Sequence, residues 1–235
     1  DDNSMIPGAK LVRTNLMAKA VSKFGEGDRW SLDTKIQYTN AKANNRTIGG
    51  PNGSNPFYLL NLMPRSLDVT QFRNSVDANG NMIWYGTGSG INPYWGYQYN
   101  LNEDERDRIM MNGSLKYEIA SWLTGQINAG ADIYTNNSNA RTYSGSPLTP
   151  TGRYSLGKNT FTETNFQALF IAKKDDLFGK FGGMATLGGN LMDRQSSSIS
   201  GSAGQLVVPN LFALNNAVGN PTVGEGYSQK AINSV

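Results

Sequence analysis

Residues 30–42 read Trp-Ser-Leu-Asp-Thr-Lys-Ile-Gln-Tyr-Thr-Asn-Ala-Lys, with Trp30, Leu32, Thr34, Ile36 and Tyr38 alternating without a break with Ser31, Asp33, Lys35, Gln37 and Thr39. Period-2 alternation puts the two sets on opposite faces of a β-strand, and each face sees a different medium. An aromatic residue stands at each end of the apolar face, and their spacing of about 9 residues is the length a tilted strand needs to cross a bilayer. This run therefore predicts a membrane-spanning strand.

The pattern recurs along the chain. Leu16, Ala18, Ala20 and Phe24 oppose Arg13, Asn15, Lys19 and Lys23, and the polar turn Gly25-Glu-Gly-Asp-Arg29 makes residues 12–42 one hairpin. A second hairpin sets Ile109, Met111, Leu115 and Tyr117 against Arg108, Asn112, Ser114 and Lys116. After a turn at Ile119–Trp122 it sets Leu123, Ile127, Ala129, Ala131 and Ile133 against Thr124, Gln126, Asn128 and Asp132. A third hairpin is looser. Phe166, Ala168, Phe170 and Ala172 share a face, and beyond residues 173–180 so do Phe181, Ala185, Leu187 and Leu191. The expectation is about six strands in three hairpins, an all-β fold over residues 1–235.

Connection lengths alternate too. The three turns are short, while segments 43–107, 136–159 and 196–230 are long, which is the asymmetry of outer-membrane barrels with short periplasmic turns and long extracellular loops. Phe24, Trp30, Tyr117, Trp122, Phe178 and Phe181 cluster beside the short turns and are expected to form the inner membrane girdle, because amphipathic rings are most stable where hydrocarbon meets headgroups. A soluble sandwich also alternates. Small residues (Gly125, Ala129, Ala131, Gly183, Gly189) on the apolar faces make those faces thin for a sandwich core and favour the barrel.

The chain is 38% hydrophobic with a mean hydropathy of −0.46, and it has no apolar run long enough for a transmembrane helix. A barrel is hidden from such averages because half of each strand faces a polar lumen. Lys plus Arg number 21 against 18 Asp plus Glu, and their scatter gives no nucleic-acid footprint. With neither Cys nor His, the chain cannot form disulfides, thiol nucleophiles, His-based triads or the usual zinc sites. The run Glu103-Asp-Glu-Arg-Asp-Arg108 reads as a solvated strand end, so neither catalytic nor metal residues nor a cofactor are assigned.

Asp77-Ala-Asn-Gly-Asn81 departs from a calcium loop in its glycine position and lacks the closing Glu; Asn79-Gly80 is expected to be a type I′ turn. Gly86-Thr-Gly-Ser-Gly90 is expected to lack the following helix that a dinucleotide site needs. Pro56–Pro64 reads as a short helix bounded by prolines, and Leu206–Leu214 as an apolar stretch buried against something. In the first long loop, aromatic rings beside Asn and Arg suit contact with a sugar, a peptide or a partner protein. They suit a small loop core equally well. Asn55, Phe57, Tyr58, Arg65, Tyr94, Trp95 and Tyr97 are the candidate contact residues.

Lys23–Lys42, together with Asn55-Pro-Phe-Tyr58, Asn92-Pro-Tyr-Trp95 and Val208-Pro-Asn-Leu-Phe212, resembles the barrel of SusC/RagA-type TonB-dependent transporters of Bacteroidota. The resemblance spans the chain and implies a barrel of about 22 strands. It also implies energy-coupled import of oligosaccharides or peptides across the outer membrane, a SusD-like lipoprotein as lid, a plug domain in the lumen and the TonB motor as partner. No residue-level ligand motif carries over. The sequence shows no signal peptide, plug domain or motor-contacting box, and Lys230–Val235 looks like a strand beginning. Six strands alone would leave unpaired edges in lipid, so a barrel fragment is expected. A passive porin and a soluble carbohydrate-binding or adhesin sandwich are the alternatives.

Overall fold

Alternating strands joined by turns too short for a crossover can only pair antiparallel with their neighbours. The computed structural model, which describes residues 2–3, 7–86, 90–176, 179 and 181–235, shows one such sheet with its strands in sequence order. The strands are β1 (Asp2–Asn3), β2 (Lys10–Phe24), β3 (Trp30–Asn44), β4 (Asn100–Ala120), β5 (Leu123–Thr142), β6 (Arg153–Lys174), β7 (Gly183–Ser202) and β8 (Thr222–Ser234).

The expectation of about six strands is thus corrected to seven long ones and a two-residue one. The long connections shrink from 43–107, 136–159 and 196–230 to 45–99, 143–152 and 203–221, and the reason is the same at each place. The upper strand halves are polar on both faces. Asn136–Thr142 pairs with Arg153–Asn159, and the charged run Glu103–Arg108 lies inside β4, with Glu103, Glu105 and Asp107 on one face and Asp104, Arg106 and Arg108 on the other. The strand expected to begin at Lys230 begins instead at Thr222, because Gly224, Gly226, Ser228 and Gln229 leave the first part of β8 without an apolar alternation.

The β2–β3 turn is a single 3-10 turn at Glu26–Asp28, with Gly25, Gly27 and Asp28 at positive φ. A Cβ at Gly25 would sit 2.8 Å from the Trp30 ring, so the residue opening this turn must be glycine. The β4–β5 connection is only Ser121-Trp122, because Ala120 already pairs with Leu123, and a register shift lies at Glu118–Ala120.

Cross-strand register fixes which residues share a face. Tyr38, Ile109 and Ile133 lie in one row, and Trp30, Tyr117, Gly125, Phe170 and Leu187 in another nearer the short turns. The upper edge of the apolar band is level over β3–β5, then drops four residues along the strand, from the row of Tyr38 (Gln195 on β7) to Leu191. The opposite face is concave and polar.

Buried apolar side chains sit in the loops rather than the wall: Leu59, Ile91, Trp95, Ala203, Leu206 and Ala217, with Ala43 the exception on a strand. Helix α1 (Pro56–Leu62) bears out the expected proline-bounded helix, with Asn55 as N-cap and Pro56 at its start. Helix α2 (Pro93–Tyr99) repeats this design with Asn92 and Pro93.

Candidate functional site

The concave face is a wall of side chains set by register. Next to the short turns it is amide-rich: Gln126 donates to Asn128 (2.8 Å) and Asn128 to Gln167 (2.9 Å). Asn128 and Gln167, with Lys19, Lys35 and Lys116, line a depression of about 710 Å³. Higher up, Arg108 forms a bidentate pair with Asp132 (2.7 and 2.6 Å), and Arg194 binds Glu163 (2.8 and 2.6 Å). Above them Tyr134 stacks on Phe161, with centroids 4.8 Å apart. Arg106 lies 5.0 Å over Tyr134 and Arg194 5.7 Å over Phe161.

On the convex face, the stretch beyond the apolar band carries its own polar ladder. The Tyr38 hydroxyl donates to Asp107 (2.6 Å), Asn40 donates to Glu105 and Asp107, and Lys42 pairs with Glu103 (3.0 Å). Nearer the turns the same face is bare hydrocarbon: Leu187 is 68% exposed, and Leu16, Ile36, Ile127, Phe166 and Phe170 are exposed as well. A soluble sandwich would cover such a face with a second sheet. The described residues form a single sheet.

Over the upper rim the three loops pack together. Rings run in series from Trp95 to Tyr99 (4.3 Å), Tyr143 (5.7 Å) and Phe212 (4.9 Å), and Phe212 meets Tyr154. Met82 N donates to Gly145 O and Ser144 N to Asn210 Oδ1, which ties loops 45–99 and 203–221 to 143–152. A Cβ at Gly145, where φ is +109°, would overlap the Gly80 carbonyl and press on the Trp95 ring at 2.9 Å. Leu206 is fully buried with Ala203 and Ala217, against Tyr154, Phe212 and Leu214, but the expected burial of the apolar stretch Leu206–Leu214 holds only in part, because Val207, Val208 and Leu211 are exposed.

This packing corrects two candidate contacts. Trp95 is 1% exposed and belongs to the loop core. Asn55 is a buried cap that accepts from Phe57 N and donates to Gly50 O. Phe57 and Arg65 are exposed, while Tyr58, Tyr94 and Tyr97 are half-buried; Arg73 lies 6.0 Å over the Tyr94 ring, and burial pushes the Tyr97 phenol pKa up. The strongest constellation, the arginine and aromatic residues of the lumen wall, escaped sequence reading because it is assembled from four strands. The signal was present as Arg106, Tyr134, Phe161 and Arg194 on polar faces.

Two turn readings also change. Asn79 keeps a negative φ and Gly80 alone is positive, with Asp77 Oδ1 accepting from Asn79 N and Asn81 N (both 2.8 Å). The turn is therefore not type I′, because the Asp77 carboxylate organises it instead. These bonds, chiefly that from Asn81, hold the Asp77 pKa below its ordinary value. A helix does follow Gly86–Gly90, namely α2. Its first turn is capped by the fully buried Asn92 and opens with Pro93, so it offers no phosphate cradle; Thr87, Gly88 and Ser89 lie outside the described residues.

Phe24, Trp30 and Tyr117 stack in series beside the short turns (6.1 and 4.3 Å), and Trp122 and Phe181 are exposed nearby. Phe178 lies outside the described residues.

No family model and no curated protein matches the sequence. Among solved structures the chain is similar to the RagAB peptide transporter, with a TM-score of 0.72 and 18% identity over 95% of this chain. It is also similar to the RagAB peptide importer in its closed-closed and open-open states, with TM-scores of 0.70 and 0.73 at 17% and 18% identity. The chain spans about a quarter (25%) of the length of each of these structures. At such identity the likeness establishes the fold, and it is the barrel wall that the SusC/RagA resemblance implied.

Proposed function

We propose that this chain forms part of the wall and outer loops of an outer-membrane, TonB-dependent importer of bulky nutrients, working with a SusD-like surface lipoprotein. The observation that carries the reading is the division of one sheet into a bare apolar band on the convex side and a charged, amide-lined concave side, with packed loops at one rim. Phe24, Trp30, Tyr117, Trp122 and Phe181 then lie at the inner interface, and Phe57, Tyr58, Arg65, Tyr94 and Tyr97 face ligand or lid. Likeness to structures named for a peptide transporter favours peptides over oligosaccharides as cargo.

The test is to isolate the native protein from outer membranes in detergent and identify by mass spectrometry what accompanies it. Co-purification with a lipoprotein, and uptake that stops when the proton-motive force collapses, are expected. Uptake that survives the collapse would mean a passive porin, and a chain that never partitions with membranes would mean a soluble binding protein.

A further inference from the structure

The lumen wall carries a four-layer stack across four strands: the Arg106 guanidinium on β4, the Tyr134 ring on β5, the Phe161 ring on β6 and the Arg194 guanidinium on β7. Each outer layer ends differently. Arg194 is spent on Glu163, and beside it Arg108 is spent on Asp132. Asp104, the remaining carboxylate at this height, is held by Arg46 at 2.6 and 3.2 Å. Among the described residues neither Arg106 nor Lys230 has a carboxylate within ion-pairing reach, and both are exposed on the concave face. Arg13 stands at the level of Arg106 two strands away, with only Ala41 between them.

We propose that this stretch of lumen wall, centred on Arg106, is a carboxylate-binding station for acidic peptide cargo; the proposal rests on the importer reading above. Two physical points select the ligand class. Sugars are gripped by a free aromatic face, and here the stack leaves none: each ring has the other ring on one side and a guanidinium on the other. The stack holds the Arg106 side chain while its N–H fork stays unpaired, and such a fork matches a carboxylate with two parallel hydrogen bonds. The carboxylates already on the wall are neutralised by their own arginines, so they do not repel an incoming anion. The amide ladder below supplies donors and acceptors suited to an extended peptide backbone.

The experiment uses the native protein isolated from outer membranes with its co-purifying partners, titrated with an Asp-rich synthetic peptide and its isosteric Asn counterpart at low and moderate salt. Tighter binding of the Asp peptide is expected, with an advantage that shrinks as salt rises. Arg106→Gln should lower Asp-peptide affinity roughly tenfold and leave the Asn peptide unchanged, while Arg106→Lys keeps part of the preference. Equal binding of both peptides by the native protein overturns the station and leaves the importer standing, as does a preference that survives Arg106→Gln. Binding of neither peptide also overturns the station, and the importer reading falls with it only when the chain fails to sediment with outer membranes.

Discussion

The wall and the loop cluster are held together by opposite means. In the wall, backbone pairing runs unbroken from β2 to β8 while large apolar side chains point outward uncovered. In the loop cluster there is little regular structure, yet Trp95, Leu206 and Asn92 are almost wholly buried. A sheet in lipid needs all its backbone groups paired and no hydrophobic core, because its solvent is apolar. Loops standing in water must instead bury side chains to offset the entropy of ordering them.

The widest separation between the two regions should come from Trp95→Ala, which removes the fully buried ring at one end of the ring series. A cost of about 3–5 kcal/mol confined to the loops is expected, read as faster proteolysis and hydrogen exchange over 45–99 and 143–152 with the strands still protected. Next, Ile36→Arg on the convex face should cost about 2–4 kcal/mol when unfolding is followed in lipid vesicles, whereas Asn112→Arg, one row away on the lumen side, should cost far less. Equal costs would mean that the convex face does not meet lipid. Asn92→Ala removes donors to Phe72 O and Ile83 O as well as the α2 cap. About 1–3 kcal/mol is expected, again in the loops alone.

Smallest is an acid effect at the Asp77 turn. A carboxylate whose folded pKa is lowered contributes stability that is present above its ordinary value of about 3.9 and is lost as pH falls through the folded value. Exchange of the Asn79 and Asn81 amides should therefore accelerate only below that range, and Asp77→Asn should abolish the pH dependence.

Legibility follows the same division. β3 was readable to within two residues because Trp30 to Tyr38 alternate between an apolar and a polar face, a contrast written directly into residue type. Strand halves beyond the band are polar on both faces, so Asn136–Thr142 and the part of β8 before Lys230 looked like loop. Trp95 and Asn55 were assigned outward roles because composition cannot distinguish a ring that grips a ligand from one that holds its own loop. Asn-Pro before an aromatic, seen at Asn55 and again at Asn92, is a cap signal that marks both helices. The lumen stack has no sequence signature, since only register brings Arg106, Tyr134, Phe161 and Arg194 together.

Strands β4–β7 run 20 to 22 residues, about twice what a tilted crossing requires. With the band set in lipid, the surplus rises as a stiff chimney that carries the loops well clear of the lipid surface. A pull on those loops is delivered along the strands, so the hydrogen-bond ladders are loaded in parallel rather than unzipped one rung at a time. Such a pedestal resists tugging from above, and the part that yields first is the loop crown itself.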